Sequence, residues 1–403
     1  MPPSDPLLVR EKLAQAVQLL QVFDLDLWLT FVHETTLVRD PALDLICPFD
    51  LTWHSALLVH RGGESIAIVG RYDAANLESL RSFSRVLSYD HAIRPLLVEQ
   101  LRAWRPKTVA LNFSRSDPAS SGLTYGLKLV LDELLAEAGI LPGQVVSAEA
   151  YLASLRGRKT QTEVERVRAA VASTQALIRE LGPQIRVGRS ERELAGLLHA
   201  RMRSLGLGAS WGWETDPAIN TGPNSPMGHG GPADWTVAPG HLVHIDFGVR
   251  RDGFCADLQR MWYVLRPEET RPPPVVMRVW ETVRRSLLAG AETLRPGKRG
   301  WEVDQAARGT ITAGGLPEYK HAFGHHLGRA AHDGATVLGP RWERYGSTPD
   351  GIIEAGNVFA IELGAEVPGY GWVCLEEDVL VTENGVEWLS TPQTELWTVP
   401  ASE

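Results

Sequence analysis

Residues 241–265 constrain the fold of this chain more than any other stretch. Two runs rich in β-branched and aromatic residues, 242–249 and 254–265, flank the sequence Arg-Arg-Asp-Gly at positions 250–253. An Asp-Gly pair between two such runs is a strong signal for a β-hairpin. The stretch therefore predicts two antiparallel strands joined by a tight turn.

Each of these two strands carries one carboxylate in an apolar setting, Asp246 on the first and Asp257 on the second. Residues that face each other across an antiparallel pair point the same way, and side chains alternate along each strand. A two- or four-residue turn pairs positions whose numbers add to an odd value, so both carboxylates would share one face. A turn centred on residues 251–252 would make them direct partners across the two strands. Two ionised carboxylates this close repel unless a cation lies between them. The hairpin alone leaves open a metal site and a plainer alternative, with one aspartate in a buried hydrogen-bond network and the other on an exposed rim.

Composition narrows the class of protein. The chain has 403 residues, is 44% hydrophobic and has a formal net charge of -9. This length predicts two domains, and the negative charge disfavours nucleic acid or an anionic membrane as a partner. Three widely spaced cysteines do not form a disulfide framework. With no recognised secretion signal or membrane-spanning run, the protein is expected to be soluble and cytoplasmic.

The chain changes character at about residue 150. The first 150 residues alternate between strand and helix patterns, which predicts an α/β domain, and no catalytic constellation is evident there. A second domain is predicted to follow, opening with a capping-box pattern at 160–163 and a long amphipathic helix. Within it, the Gly-, Pro-, Asn- and Ser-rich residues 218–231 predict a loop that contains His229.

Four histidines lie close together after the hairpin: His321, His325, His326 and His332. Imidazole binds borderline cations, and the small residues between these histidines leave room for one. A single histidine is more often a satisfied core or surface group, whereas this cluster indicates a metal site. The pattern does not select one histidine of the four.

Two later β-like runs carry acids among apolar residues. Glu362 lies in the first run, and in the second the alternation places Cys374, Glu376 and Asp378 on one face. Glu376 and Asp378 are equal candidates by this pattern, and Glu377 is expected to be a surface acid. An oxygen-rich set with one imidazole suits Mn²⁺, Co²⁺, Fe²⁺ or Zn²⁺, and two such ions would support hydrolysis.

The ordered set Asp, Asp, His, Glu, Glu resembles the creatinase/prolidase/aminopeptidase P family, the M24 "pita-bread" metallopeptidases. The resemblance covers nearly the whole chain, and Leu-Arg-Gly-Arg-Lys-Thr-Gln-Thr-Glu at 155–163 looks like the usual opening of the catalytic domain. It implies an α+β fold, in which a creatinase-like α/β N-terminal domain at 1–155 precedes a pita-bread catalytic domain at 156–403.

The resemblance also implies roles for particular residues. The implied ligands of two divalent metal ions are Asp246, Asp257, His325, Glu362 and Glu376. Mn²⁺ is the first candidate ion, with Co²⁺ or Zn²⁺ as alternatives. Glu362 would also take a proton from a metal-bridging water, and His229 and His332 would stabilise the oxyanion. His321 would contact the residue beyond the scissile bond, while His326 would be structural.

Three departures from the family pattern bear on the substrate. The usual Glu-Pro-Gly after the first ligating glutamate is Glu-Leu-Gly at 362–364, and the usual Asp-Ile-Thr-Arg is Asp-Leu-Gln-Arg at 257–260. Cys374 stands where relatives usually carry an arginine, which helps dipeptide-cleaving members to bind the substrate carboxylate. As a hypothesis, Arg39 or a partner subunit supplies the missing charge.

The implied activity is dinuclear metal-dependent hydrolysis of Xaa-Pro peptide bonds, with the chain acting as an Xaa-Pro dipeptidase (prolidase). The alternatives are an Xaa-Pro aminopeptidase on longer peptides and a small-amide hydrolase similar to ectoine hydrolases. A catalytically dead peptide-binding module is disfavoured because all five ligand positions are filled. A peptide substrate and a homodimer are the expected partner and assembly.

Overall fold

The computed structural model describes residues 5–228 and 230–400. The chain divides into two units, Met1–Thr160 and Gln161–Glu403. The domain boundary at 155/156 that the sequence indicates stays a prediction. Within the described residues, no helix is both long enough and apolar enough to cross a membrane.

The first unit is built on a six-stranded mixed sheet. Its strands are β1 (Leu27–Val32), β2 (Ser55–His60), β3 (Ser65–Gly70), β4 (Arg85–Tyr89), β5 (Val109–Leu111) and β6 (Val145–Ser147). Their order across the sheet is β4-β3-β2-β1-β5-β6. Strand β2 pairs antiparallel with β1 and β3, whereas the other pairs are parallel.

Helices cover both faces of this sheet. They are α1 (Pro6–Val22), α2 (Leu43–Ile46), α3 (Arg71–Leu80), α4 (Arg94–Trp104), α5 (Tyr125–Glu137) and α6 (Glu149–Gly157). Trp28 and Val32 of β1 pack with α1, α2, α3 and α6, while Leu27, Leu29 and Phe31 pack with α4 and α5. Burial on both faces explains why β1 is a nearly continuous apolar run.

The second unit contains four long helices and eleven strands within the described residues. The helices are α7 (Gln161–Leu181), α8 (Glu191–Ser204), α9 (Pro274–Thr293) and α10 (Gly300–Ala313). The strands are β7 (Gly208–Ala209), β8 (Ala218–Thr221), β9 (Leu242–Phe247), β10 (Val249–Arg251), β11 (Phe254–Cys255), β12 (Leu258–Val264), β13 (Gly324–His326), β14 (Val358–Val367), β15 (Gly371–Thr382), β16 (Gly385–Trp388) and β17 (Trp397–Val399). Short 3₁₀ helices lie at Pro118–Ser120 and Pro142–Gln144 in the first unit and at Gly182–Gln184, Glu343–Tyr345 and Thr348–Asp350 in the second.

Eight of these strands form the main sheet of the second unit. The order is β13-β14-β15-β12-β9-β8, with β16 added beside β15 and β17 beside β12. All pairs are antiparallel except β12 with β17. This sheet curls into the half-barrel of the pita-bread architecture, and β7, β10 and β11 form a small separate sheet. The α+β class predicted from the sequence is confirmed.

Helix α9 covers one face of strands β14 and β15. Val283 and Leu287 of the helix share a buried apolar cluster with Ile361 and Leu363 of β14 and with Leu375 of β15. Because side chains alternate along a strand, the residues between these apolar positions point away from the helix. The opposite face of the two strands is therefore the one that carries the even-numbered acids.

The predicted hairpin has a two-residue turn at Asp252 and Gly253. Both residues have positive φ, 51° and 84°, as a type I′ turn requires. The turn sets an odd-sum register in which Asp246 pairs with Gln259. Asp257, two residues before Gln259, therefore lies on the same face as Asp246 and diagonally across from it.

Candidate metal centre

Four polar side chains form one row across the half-barrel. Asp246 on β9 pairs with Gln259 on β12, Gln259 pairs with Glu376 on β15, and Glu376 pairs with Glu362 on β14. Directly paired residues of neighbouring antiparallel strands point to the same face. Strand register alone therefore brings three acids and one amide together.

His325 and Asp257 complete this group of side chains. Nε2 of His325 lies 3.7 Å from Oε1 of Glu376 and 3.9 Å from Oδ2 of Asp257. Each of the three residues offers one ligand atom, and these atoms all lie within 4.8 Å of one another, as a metal site requires. Nδ1 of His325 lies 3.1 Å from the carbonyl oxygen of Ala331. A proton on Nδ1 satisfies that contact and leaves the Nε2 lone pair for a cation.

The acids are buried together, and this perturbs their ionisation. Burial, followed by the charge of Glu376, raises the pKa of Asp246 and of Asp257 well above the usual range. The same two causes raise the pKa of Glu362 to about 7. Within the described residues, Oδ1 of each aspartate makes no hydrogen bond. A divalent cation would reverse these shifts and give both oxygens a partner, so the donor set fits such an ion.

The group lines a cavity of about 340 Å³. The other described residues of its wall are Ser210, Trp211, Thr215, Ala218, Gly228, Ala330, Ala331 and His332. No lysine or arginine occurs among the described lining residues. The volume lies in the usual range for small-molecule sites.

Most of the site residues predicted from the sequence lie in this cavity. They are Asp246, Asp257, His325, His332, Glu362 and Glu376. The ring centroids of His332 and His325 are 4.2 Å apart. His229 lies outside the described residues, so its predicted role has no structural account. The roles of all these residues stay predictions.

Two predicted substrate-binding residues are not in the described wall of the cavity. The ring of His321 packs against that of Tyr319, with centroids 5.5 Å apart. Arg39 belongs to the first unit, where its guanidinium binds Asp44 and Asp50, each at 2.6 Å. The substrate-binding roles of His321 and Arg39 also stay predictions.

Strand alternation makes Glu376 and Asp378 equal candidates for a metal ligand, and the structure distinguishes between them. Glu376 lines the cavity, whereas Oδ2 of Asp378 accepts a hydrogen bond of 3.0 Å from the backbone N–H of Asp257. Asp378 therefore supports a neighbour of the cavity and is not part of its described wall. His326, expected to be structural, is buried with its ring 4.1 Å from that of Phe359.

The prediction that Glu377 is a surface acid is wrong. Its side chain is 1% exposed and forms an ion pair of 2.9 Å with Arg260, which is 3% exposed. It also accepts hydrogen bonds from the hydroxyl of Ser390 and the backbone N–H of Gln393. The C-terminal segment covers this face of β15, so both faces of the strand are buried and alternation does not identify a solvent side.

Sequence reasoning missed three residues that contact the acids or their partners. Nε2 of Gln259 donates to Glu362 and Glu376, and Oε1 of Gln259 contacts His244. The hydroxyl of Tyr319 helps to keep the pKa of Glu362 from rising further. Alternation places His244 on the face of Asp246 and could have identified it, whereas the loop around Tyr319 has no periodic signal.

Cys374 is buried beside the acids. Burial, followed by the charge of Glu362, raises the pKa of its thiol well above the usual range, so the side chain is neutral. Gly364 lies opposite it on β14, where an added Cβ would come within 2.3 Å of the Cys374 Sγ. Gly364 and the departure at Cys374 thus form a small, uncharged pair here.

A half-barrel with a buried cluster of acids and one histidine defines a metal-dependent hydrolase. The profile of metallopeptidase family M24 matches residues 165–383, which is more than half of the chain. The chain belongs to metallopeptidase family M24, as its sequence motifs predict. Membership implies that it binds divalent metal and acts on peptides.

Curated relatives are similar to this chain in sequence, and solved structures share its fold. The chain is 28% identical to "Xaa-Pro dipeptidase" of Lactobacillus helveticus over 62% of its own length and 64% of that protein, slightly less than two thirds. Its fold is similar to that of "Xaa-Pro dipeptidase from Bacillus anthracis", with a TM-score of 0.72, 22% identity and coverage of 97% and 100% of the two chains. The structure of an X-Pro aminopeptidase from Thermotoga maritima is similar with a TM-score of 0.71 and 22% identity, and the match covers 96% of this chain and 99% of that one.

Proposed function

We propose that this chain is a dinuclear metal-dependent peptidase that cleaves Xaa-Pro dipeptides. The observation that carries the proposal is the row of acids with His325 around one cavity, in which an oxygen of Asp246 and one of Asp257 lack partners among the described residues. The printed names of the Lactobacillus helveticus and Bacillus anthracis proteins support the choice of substrate.

Five residues would hold the two cations: Asp246, Asp257, His325, Glu362 and Glu376. Mn²⁺ is the first candidate, with Co²⁺ or Zn²⁺ as alternatives, because carboxylates dominate the set and only one imidazole joins them. Such ions supply a water of lowered pKa and a Lewis acid for the scissile carbonyl.

Other roles belong to side chains of the chain itself. Glu362 would accept the proton of the attacking water, with its orientation held by the amide of Gln259. His332, in the wall of the cavity, would donate to the oxygen that gains charge in the tetrahedral state, together with His229. We assign His321 to the part of the substrate beyond the scissile bond.

Part of the wall of the cavity is an uncharged surface that the substrate could contact. Trp211, Ala218, Ala330 and Ala331 line it beside the acids. A proline ring is apolar and has no N–H in a peptide, so it would pack on such a surface without leaving a donor unsatisfied.

A second candidate is an Xaa-Pro aminopeptidase that acts on longer peptides. A dipeptide brings a free carboxylate next to the scissile bond, and a longer peptide brings an amide there. Cys374 is a neutral thiol, and no lysine or arginine occurs in the described wall, which favours the amide. The dipeptidase reading needs a cation from elsewhere, and Arg39 or a partner subunit of a homodimer is our proposal for it.

Proline release tests the two candidates. Metal-stripped protein is loaded with Mn²⁺, Co²⁺ or Zn²⁺ and offered Xaa-Pro dipeptides and Xaa-Pro-Yaa tripeptides. Metal-dependent cleavage of dipeptides alone supports the dipeptidase, and cleavage of tripeptides as well supports the aminopeptidase. No cleavage with any of the ions contradicts both and favours a small-amide substrate or a peptide-binding role.

The role of Arg39 has its own test. Arg39→Ala should raise the KM for Xaa-Pro dipeptides and leave the KM for tripeptides unchanged. Arg61→Ala is a matched control, because Arg61 also binds two aspartates of the first unit, Asp24 and Asp26. An unchanged dipeptide KM in Arg39→Ala would exclude Arg39 as the cation that binds the substrate carboxylate. Light scattering would then measure the molecular mass in solution and so test for a homodimer.

A further inference from the structure

Gln259 lies at the centre of the row of acids and uses its whole amide there. Its Nε2 donates to Oε2 of Glu362 and to Oε2 of Glu376, each at 2.9 Å. Its Oε1 lies 3.0 Å from Nε2 of His244. The residue is only 5% exposed, so these protein groups have replaced water as its partners.

These contacts fix the orientation of the amide. Carboxylate oxygens accept hydrogen bonds, so the amide nitrogen of Gln259 faces both glutamates. A flipped amide would place Oε1 of Gln259 against an oxygen of each glutamate. Oε1 is then the acceptor, and the proton of His244 lies on Nε2. The other ring nitrogen, Nδ1, lies 3.2 Å from Oδ1 of Asn220 on β8, and with the proton on Nε2 both of these atoms are acceptors. The hydrogen bond that links the imidazole to the site is therefore the one from Nε2 to Gln259.

Each glutamate gives one oxygen to Gln259 and keeps the other. The free oxygen of Glu376, Oε1, is the atom that lies 3.7 Å from Nε2 of His325. A side-chain amide has two protons and can hold two carboxylates at once. The threonine that the family pattern usually has at position 259 has one hydroxyl proton and could donate to only one of them.

We propose that Gln259, held in place by His244, is a positioning residue that orients Glu362 and Glu376 to bind the second divalent cation. The inference rests on the proposed metal centre. Side chains that hydrogen-bond to metal ligands fix ligand orientation, and their loss typically weakens metal affinity by about 10- to 100-fold. In the ligand group of Asp257, Glu376 and His325, only Glu376 accepts a hydrogen bond from Gln259, so the first cation should depend less on Gln259 than the second.

Calorimetric titration of the metal-stripped full chain with Mn²⁺ tests the proposal. Gln259→Met is the main variant, because methionine has a similar length and volume but no N–H. The unsubstituted chain should bind two Mn²⁺ ions. Gln259→Met should bind the first almost as tightly and the second about 10- to 100-fold more weakly. The spin-coupled Mn²⁺ pair signal in electron paramagnetic resonance should weaken in parallel, and neither readout needs a substrate.

Gln393→Met is a matched control, because Gln393 lies outside β12 but its side chain binds that strand. Gln393 is 4% exposed, and its amide binds the backbone of Met261 on β12 at 2.8 and 3.0 Å rather than a site acid. The control should lower the melting temperature and leave both Mn²⁺ affinities unchanged. Equal loss of the second ion in both variants, or no loss in Gln259→Met, would overturn the proposal.

His244→Phe separates direct contact from support. Phenylalanine fills the volume of the imidazole but cannot donate to Oε1 of Gln259, so the second Mn²⁺ should bind more weakly, by a smaller factor than in Gln259→Met. Since the two residues act through one contact, the double variant should be no weaker than Gln259→Met alone. Fully additive losses would contradict the supporting role of His244.

The outcomes for the unsubstituted chain distinguish this inference from the proposed activity. Two bound Mn²⁺ ions without cleavage of any Xaa-Pro peptide would reject the substrate and leave the role of Gln259 standing. Failure to bind any of Mn²⁺, Co²⁺ and Zn²⁺ would reject the metal centre and the role of Gln259 together.

Discussion

Arg260 and Glu377 form an ion pair of 2.9 Å in which both side chains are almost completely buried. They follow Gln259 and Glu376 directly on β12 and β15 and so lie on the opposite face of the sheet from the candidate site. A desolvated pair adds little net stability, but loss of one partner leaves a buried charge without compensation. The pair therefore makes the two central strands of the half-barrel depend on each other.

Arg260→Leu should destabilise the protein by about 3–5 kcal/mol, because it leaves the carboxylate of Glu377 buried and unpaired. The double variant Arg260→Leu/Glu377→Gln should recover part of this loss, since glutamine is neutral. Its oxygen can still accept from the backbone N–H of Gln393, and its NH₂ group can donate to the hydroxyl of Ser390. Urea denaturation gives both free energies of unfolding. A double variant as unstable as the single one would mean that lost packing, rather than unpaired charge, dominates.

Glu376→Gln and Asp378→Asn should have unequal effects, although both acids lie on one face of β15. Glu376→Gln removes a charged ligand and should lower kcat/KM by about 10²-fold or more. Asp378→Asn keeps an acceptor for the backbone N–H of Asp257 and should have a much smaller effect. Bound Mn²⁺, measured by inductively coupled plasma mass spectrometry, should fall only in Glu376→Gln. A loss in Asp378→Asn instead would make Asp378 the metal ligand and Glu376 the supporting residue.

The metal-free protein should become less stable as the pH rises from about 4 to 7. The pKa values of Asp246, Asp257 and Glu362 are raised in the folded chain, that of Glu362 from 4.5 to about 7. In this interval the unfolded chain releases protons that the folded chain retains, so the free energy of unfolding falls by a few kcal/mol. Urea midpoints in chelator should therefore be lower at pH 7 than at pH 5.

Mn²⁺ should reduce this pH dependence, because a cation favours the ionised carboxylates and binds only the folded site. Glu362→Gln should weaken the dependence in chelator without removing it, since the two aspartates remain. A metal-free protein with equal urea midpoints at pH 5 and pH 7 would contradict the electrostatic description of the cluster.

Tyr319→Phe should lower kcat severalfold near neutral pH, because the Tyr319 hydroxyl lowers the pKa of Glu362, which would accept the proton of the attacking water. Without the hydroxyl the pKa of that carboxyl should rise, and the acidic limb of the kcat profile should move to higher pH. Tyr89→Phe is the control, because its hydroxyl binds a backbone carbonyl of the first unit. An acidic limb that stays in place would show that Tyr319 does not act through Glu362.

Local patterns were sufficient to predict the hairpin that carries the two aspartates. The Asp-Gly pair fixed the turn, and the odd-sum register followed from the turn length, so Asp246 and Asp257 share a face as the sequence indicates. The sequence did not predict the diagonal offset between them. The offset arises because the turn is centred on residues 252–253, whereas a turn centred on residues 251–252 would have paired the two aspartates directly.

Long-range packing set the limit of prediction. Glu377 was misjudged because residues 390–393 cover a strand face that alternation alone presents as solvent-exposed. The contacts of Gln259 with Glu362 and Glu376 depend on how three strands pair, and no local pattern encodes that pairing. Tyr319 reaches Glu362 from a loop, where spacing carries no directional information.

The row of Asp246, Gln259, Glu376 and Glu362 also has a consequence for how the protein folds during its synthesis. Gln259 is 103 residues from Glu362 and 117 from Glu376 along the chain, so the row does not exist until β14 and β15 have been synthesised and paired. Contacts this distant in sequence close late and slowly. A divalent cation that needs both glutamates therefore stabilises the finished sheet and not its precursors, and metal supply during synthesis should raise the yield of folded chains.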